Sequence, residues 1–167
     1  MMIITPETWN PFSPRPDIFL AGGITGCPDW QADAIQMLTE LGPDNLVVAN
    51  PRRQHPIPSE GGAAMEQITW EWRRLLEAPV ILFWFAPKQI QPIALMELSK
   101  ALAERRNIVI GADPGYPRRF DVVVRCALEN YGQVIAETLE DTVADAVYQL
   151  DRVKGGSDER STEAQCS

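Results

Sequence analysis

One histidine and three cysteines are all that this 167-residue chain offers toward soft-metal or thiol chemistry. Cys27, Cys126 and Cys166 are odd in number, far apart, and lack the paired spacing of a zinc site or a disulfide framework. His55 is boxed between Gln54 and Pro56 and reads as a loop residue. No metal and no cofactor is therefore expected, and unpaired thiols point to a reducing cytoplasm. Long apolar runs are also missing. The longest, Ala78 to Pro87, is too short to span a bilayer, and the N-terminus lacks the basic-then-apolar order of a signal peptide. Clustered positive charge is absent too. The formal charge is −8, and the pairs Arg52-Arg53, Arg73-Arg74, Arg105-Arg106 and Arg118-Arg119 are scattered among acids. That argues against a nucleic-acid polymer as partner. Small-molecule chemistry on one domain is what remains.

What is present alternates. Strand patterns fall at Asp17–Ala21, Leu46–Asn50, Val80–Phe85, Asn107–Ala112 and Gln133–Ala136. Helical patterns follow at Asp29–Leu41, Ala63–Ala78, Pro92–Arg106, Pro117–Tyr131 and Leu139–Val153. Gly42-Pro43 stops the first helix, and Thr138 with Asp141 forms a loose capping box for the last. Such alternation predicts an α/β fold: a doubly wound, five-stranded parallel sheet in three α/β/α layers. Right-handed crossovers favour the flavodoxin-like (Rossmann-like) order 2-1-3-4-5. The domain spans residues 17–153. Residues 1–16 form a surface segment in which Ile3-Ile4 can add an edge strand, and polar residues 154–167 are expected to be disordered.

In that order the switch point lies between the first and third strands, and both end in suggestive residues. The first runs into Gly22-Gly23-Ile24-Thr25-Gly26. Glycines there let backbone N–H groups approach a ligand, although tight turns also use glycine for geometry alone. The spacing is neither a dinucleotide fingerprint nor a P-loop. The third strand leads to a helix whose apolar early turns carry one carboxylate, Glu97. Glu71 is the second candidate carboxylate; it shares a helix face with Gln67, four residues earlier. The plainer reading of this face has Trp72 and Leu75 in the core and Glu71 pairing a nearby arginine on the surface; a site role needs Glu71 to point toward the switch point. A nucleophilic carboxylate with an assisting one is the logic of glycosyl transfer. Asn50 and Gln54 suit the edge of a heterocycle or plain loop solvation. Trp30, Trp70 or Trp84 can supply a stacking wall.

The combination IFLAGGITG–DW, NPRR, QITWEW and VILFWF…QPIALMEL resembles the nucleoside 2-deoxyribosyltransferase family and its nucleotide N-glycoside hydrolase relatives, over about Asp17 to Ala112. The resemblance implies Glu97 as nucleophile, Glu71 as the acid on the base side, and Gly22 to Gly26 as the glycine-rich turn. Three positions depart from the family pattern. Gln91 stands where an aspartate holds sugar hydroxyls, Phe19 replaces a tyrosine that contacts the nucleophile, and Ser99 replaces a glycine. The implied activity is cleavage or transfer of the N-glycosidic bond of a (deoxy)nucleoside. A nucleoside 5′-monophosphate hydrolase and a non-catalytic nucleotide-binding domain stay open beside it. The expected partner is a small nucleoside or nucleotide, with no membrane. The resemblance also implies a homo-oligomer, for which Trp9, Phe12 and Tyr131 are interface or core candidates.

Overall fold

In the computed structural model, which describes residues 1–55, 60–129, 132 and 134–163 (side chains to residue 156), the apolar run becomes the central strand β4 (Val80–Phe85). Every residue of β4 is buried, as expected of a parallel strand covered on both faces. Around it lie β1 (Met2–Ile4), β2 (Ile18–Gly22), β3 (Val47–Ala49) and β5 (Ile108–Ala112). All neighbouring pairs are parallel, in the order β1-β3-β2-β4-β5. The helices are α1 (Trp30–Leu41), α2 (Gly62–Glu77), α3 (Pro92–Ala103), α4 (Arg119–Leu128) and α5 (Leu139–Glu163).

The doubly wound fold and its switch point between β2 and β4 match the sequence expectation; one edge differs. The expected fifth strand at Gln133–Ala136 contributes a single bridge, Ala136 to Gly111, with Gln133 outside the described residues. Val134 there is exposed, so only the end of the segment has an apolar reason to join the sheet. The fifth strand is instead β1 at the opposite edge, supplied by Ile3-Ile4 of the N-terminal segment. Helix α5 continues to Glu163, into the segment read from sequence as a tail; residues 164–167 lie outside the described ones. None of the described helices is long and apolar enough to cross a membrane.

Strand alternation divides the core into two halves. Phe19, Ala21, Ile81, Phe83 and Phe85 face α2, α3 and α4. Ile18, Leu20, Leu82 and Trp84 face α1 and α5. The helix ends have identifiable causes. Asp29 caps α1 by accepting from the Ala32 N–H at 3.2 Å. Thr138 and Asp141 form the expected box at the start of α5: the Asp141 N–H reaches Thr138 Oγ1 at 3.1 Å, and that hydroxyl donates to Asp141 Oδ2 at 2.6 Å.

Candidate functional site

The carboxyl ends of β2 and β4 open onto a cavity of about 400 Å³, within the size range of small-ligand sites. Its floor is the α2/α3 face of β2, where Phe19 and Ala21 point outward from the sheet. The loop after β2 forms one wall, with Gly22, Gly23, Ile24 and Thr25. Glu71 and Gln67 enter from α2, and Gln91, Ile93 and Glu97 from the start of α3.

The glycines and Gln91 act together. A Cβ on Gly22 would lie 2.6 Å from the Trp30 ring and also collide with the Trp84 carbonyl. On Gly23 it would lie 2.7 Å from the Gln91 amide carbon and strike Cys27 Sγ. Both glycines therefore permit a close approach between packed groups. Gln91, buried at 4% exposure, accepts the Gly23 N–H at 2.7 Å and donates to the Ala86 carbonyl at 3.0 Å. It ties the two strand ends together across the switch point. The Gly23 N–H is thereby committed, whereas the N–H groups of Ile24 and Thr25 have no acceptor among the described residues.

The turn is pinned from behind. Trp30 Nε1 donates to the Gly23 carbonyl at 2.9 Å, and the buried Gln31 adds a bond at 3.3 Å. Arg52 joins Gln31 at 2.9 Å to the Pro28 carbonyl at 2.9 Å and ion-pairs with Asp29 at 3.0 Å.

The two carboxylates share the cavity but not their environment. Glu71 accepts from Gln67 Nε2 at 2.7 Å. Gln67, 2% exposed, also donates to the Pro51 carbonyl at 2.9 Å and accepts from Arg53 Nε at 2.6 Å. Burial raises the Glu71 pKa, while Gln67 and then Arg53 oppose that rise. The Glu97 carboxylate has no hydrogen bond or ion pair among the described residues. Burial, and secondarily the charge of Glu71, push its pKa up to about 8. An unpaired carboxylate on a cavity wall beside a second, tethered one is a pair of titratable groups whose environments differ, an arrangement suited to proton exchange.

Of the sequence candidates, Glu97, Glu71, Phe19, Gly22, Gly23, Ile24, Thr25 and Gln91 meet in this cavity. Four do not. Trp84 and Trp30 lie in the opposite half of the core, because Trp84 alternates with Phe83 along β4. Asn50 turns its Oδ1 onto the Arg52 N–H at 2.9 Å, stabilising its own loop. Gln54 is exposed and anchored by its backbone N–H to Glu7 at 3.2 Å. Trp70 packs against Phe19, with ring centroids 6.2 Å apart, and lines a different cavity. Trp72 is 54% exposed and is not a core residue. Sequence reasoning missed Pro51, Ile68 and Ile90 as lining; Ile68, three residues before Glu71, was legible from helical spacing. Among the described residues, no group of three or more His, Cys, Asp or Glu is placed to hold a metal ion.

A search of curated proteins found no match to the chain. The family model for nucleoside 2-deoxyribosyltransferase-like proteins matches residues 15–116, more than half of the sequence and all of β2, β4 and α3. With the switch-point cavity and its two glutamates enclosed in that match, the chain belongs to the nucleoside 2-deoxyribosyltransferase-like family.

Proposed function

We propose that the protein cleaves or transfers the N-glycosidic bond of a (deoxy)nucleoside in the cytoplasm, with Glu97 as nucleophile. The observation that carries this reading is the unpaired Glu97 on the cavity wall next to the tethered Glu71. Glu97 attacks C1′ and forms a sugar ester as the C1′–N bond breaks. The departing base takes the bonding electron pair and receives a proton from Glu71 or from water. Water or a second base then attacks C1′ and releases Glu97.

The raised pKa bears on this chemistry. Burial and the Glu71 charge favour the protonated form of Glu97. A nucleophile must be ionised, and a sugar hydroxyl donating to the carboxylate stabilises the charged form. Substrate binding therefore supplies part of the activation. Gln91, with both amide groups already bonded to backbone, retains one N–H and one lone pair for a sugar hydroxyl.

A 5′-monophosphate substrate is the second reading, favoured by the unpartnered N–H groups of Ile24 and Thr25 at the cavity edge. A chromatographic assay of 2′-deoxynucleosides and their 5′-monophosphates, with and without a second free base, separates the possibilities. A new nucleoside that needs the second base means transfer; free base without it means hydrolysis. Absence of product from every substrate would contradict the proposal and favour a binding-only domain.

A homodimer is part of the same reading. A contiguous space of about 310 Å³ between α2 and α3 shares Ile68, Glu71, Ile93 and Glu97 with the site. Its rim exposes Trp72 and Met96, the latter at 64%. An apolar surface so exposed and continuous with the site fits a second copy of the chain closing over it. Of the sequence candidates for an interface, Trp9 packs against the core, Phe12 is exposed, and Tyr131 lies outside the described residues.

A further inference from the structure

Helix α2 divides two cavities. Ile68 and Glu71 look toward the glutamate site, whereas Glu66, Thr69, Trp70 and Arg73, at helical spacing on another face, line a space of about 370 Å³. Nothing in the glycosidic chemistry uses this second space. Its lining includes Arg53, Arg73 and Arg74, in a chain whose formal charge is −8.

The charges do not cancel within the wall. Arg74 is paired with Glu77 at 2.8 Å and lies over the Trp9 ring, 5.4 Å from its centroid. Arg73 is exposed and has no hydrogen bond or ion pair among the described residues. Arg53 uses Nε for Gln67, and its terminal nitrogens have no partner among the described residues. Against these two stands one carboxylate in the lining, Glu66; the acids near Arg53 outside it are Glu7, which accepts the Gln54 N–H, and Glu71, which accepts from Gln67.

Among the described residues, Trp70 Nε1 and Arg74 Nε are buried donors with no acceptor, while Glu77 Oε2, ion-paired with Arg74, is a buried acceptor with no hydrogen bond. Trp9, Pro6 and Met65 supply apolar wall between the charges.

We propose that this cavity is a second ligand site, taking a small organic oxyanion: a phosphate or carboxylate group on an apolar body. The oxyanion lies between Arg53 and Arg73 with the Thr69 hydroxyl beside it, and the apolar body rests against Trp9 and Met65. A guanidinium pair suits oxyanions because it presents fixed N–H forks. The site is independent of the chemistry assigned to Glu97, and its test does not require turnover.

Calorimetric titration of the full chain with phenyl phosphate, benzoate and the neutral analogue phenol tests the proposal. One or both anions should bind saturably at one site and phenol should not; the tighter anion identifies the oxyanion. Arg73→Ala, at an exposed position with no bonds to lose, should weaken binding at least about tenfold, as removal of a charge-assisted contact does. Met65→Trp, which fills the cavity without touching charge, should also weaken it. Glu97→Gln should leave the affinity unchanged. Lack of saturable binding by either anion overturns the proposal. So does binding that ignores Arg73→Ala and Met65→Trp, or that responds to Glu97→Gln, since the anion then occupies the other cavity.

Discussion

At the residue scale, the asymmetry between Glu71 and Glu97 makes the pair useful and costs the fold stability. Glu71 is held by Gln67, whereas Glu97 has only burial and a like charge around it. Two coupled carboxylates titrate as a pair. The pH profile of kcat/KM should therefore carry an ascending limb toward pH 8 as the nucleophile loses its proton. Glu71→Gln removes the neighbouring negative charge, so that limb should move to lower pH even where the maximal rate falls. An unmoved limb would mean that the titrating group is not Glu97.

The same shift has a consequence for stability. The folded-state pKa of Glu97, about 8, lies above the ordinary 4.5, so the folded chain prefers the protonated form. This contribution is fully present below about pH 4.5 and is lost as pH rises through about 8. Glu97→Gln stays neutral throughout. Its Tm should exceed that of the parent by more at pH 8.5 than at pH 5, with about 2–4 °C expected for each kcal/mol regained. Thermal melts at the two pH values check this, and an equal difference at both would contradict the buried, unpaired carboxylate. Glu97 was legible in the sequence as a lone acid in an apolar helix start beyond a central strand. Gln67 was visible only as a neighbour of Glu71; its bonds to Pro51 and Arg53 depend on how the loop after β3 folds back, which no local pattern specifies.

At the element scale, the site depends on two strand ends held at a fixed separation. Gln91 bridges the loop after β2 to the end of β4. Gln91→Ala leaves the Gly23 N–H and the Ala86 carbonyl without their partner, which should cost at least about 1–3 kcal/mol in denaturant unfolding. Gly22→Ala should cost about 1–3 kcal/mol by overpacking, because Trp30 and the Trp84 carbonyl occupy the space of its side chain. Stability unchanged by either substitution would contradict the tie. The glycine turn was legible as a turn, with ligand approach and plain geometry both open as its reason. The neighbours that the fold brings in decide: Gly22 and Gly23 serve tight packing, and Gln91 takes the Gly23 N–H. The tryptophans were misplaced for a related reason: aromatic content near a site says nothing about which sheet face a residue occupies. The alternation Phe83-Trp84-Phe85 carries that information once Phe19 is assigned to the cavity side.

At the scale of the whole molecule, the doubly wound order followed from alternation and handedness, and with it the place of the cavity. The sheet edges were less legible. A three-residue strand such as β1 forms by pairing with β3 rather than by its own pattern, and the segment before Ala136 has too little apolar character to announce how it ends. The exposed faces of α2 and α3 were not foreseen, since an apolar stripe reads the same whether it is covered by its own chain or by another. Ile93→Asp, at a site 57% exposed in the single chain, should leave the monomer folded. It should also convert a dimer to monomer in light scattering and reduce turnover by opening the site. A parent chain that is monomeric at all concentrations would refute the dimer.

Covalent attachment of the sugar to Glu97 is the step on which the proposed chemistry rests. The most direct measurement is mass spectrometry of protein quenched in acid during turnover of a 2′-deoxynucleoside, followed by peptide mapping. A deoxyribosyl adduct is expected on the peptide containing Glu97 and none in Glu97→Gln, whose kcat should fall about 10³-fold or more. Turnover without any adduct, undiminished in Glu97→Gln, would contradict it.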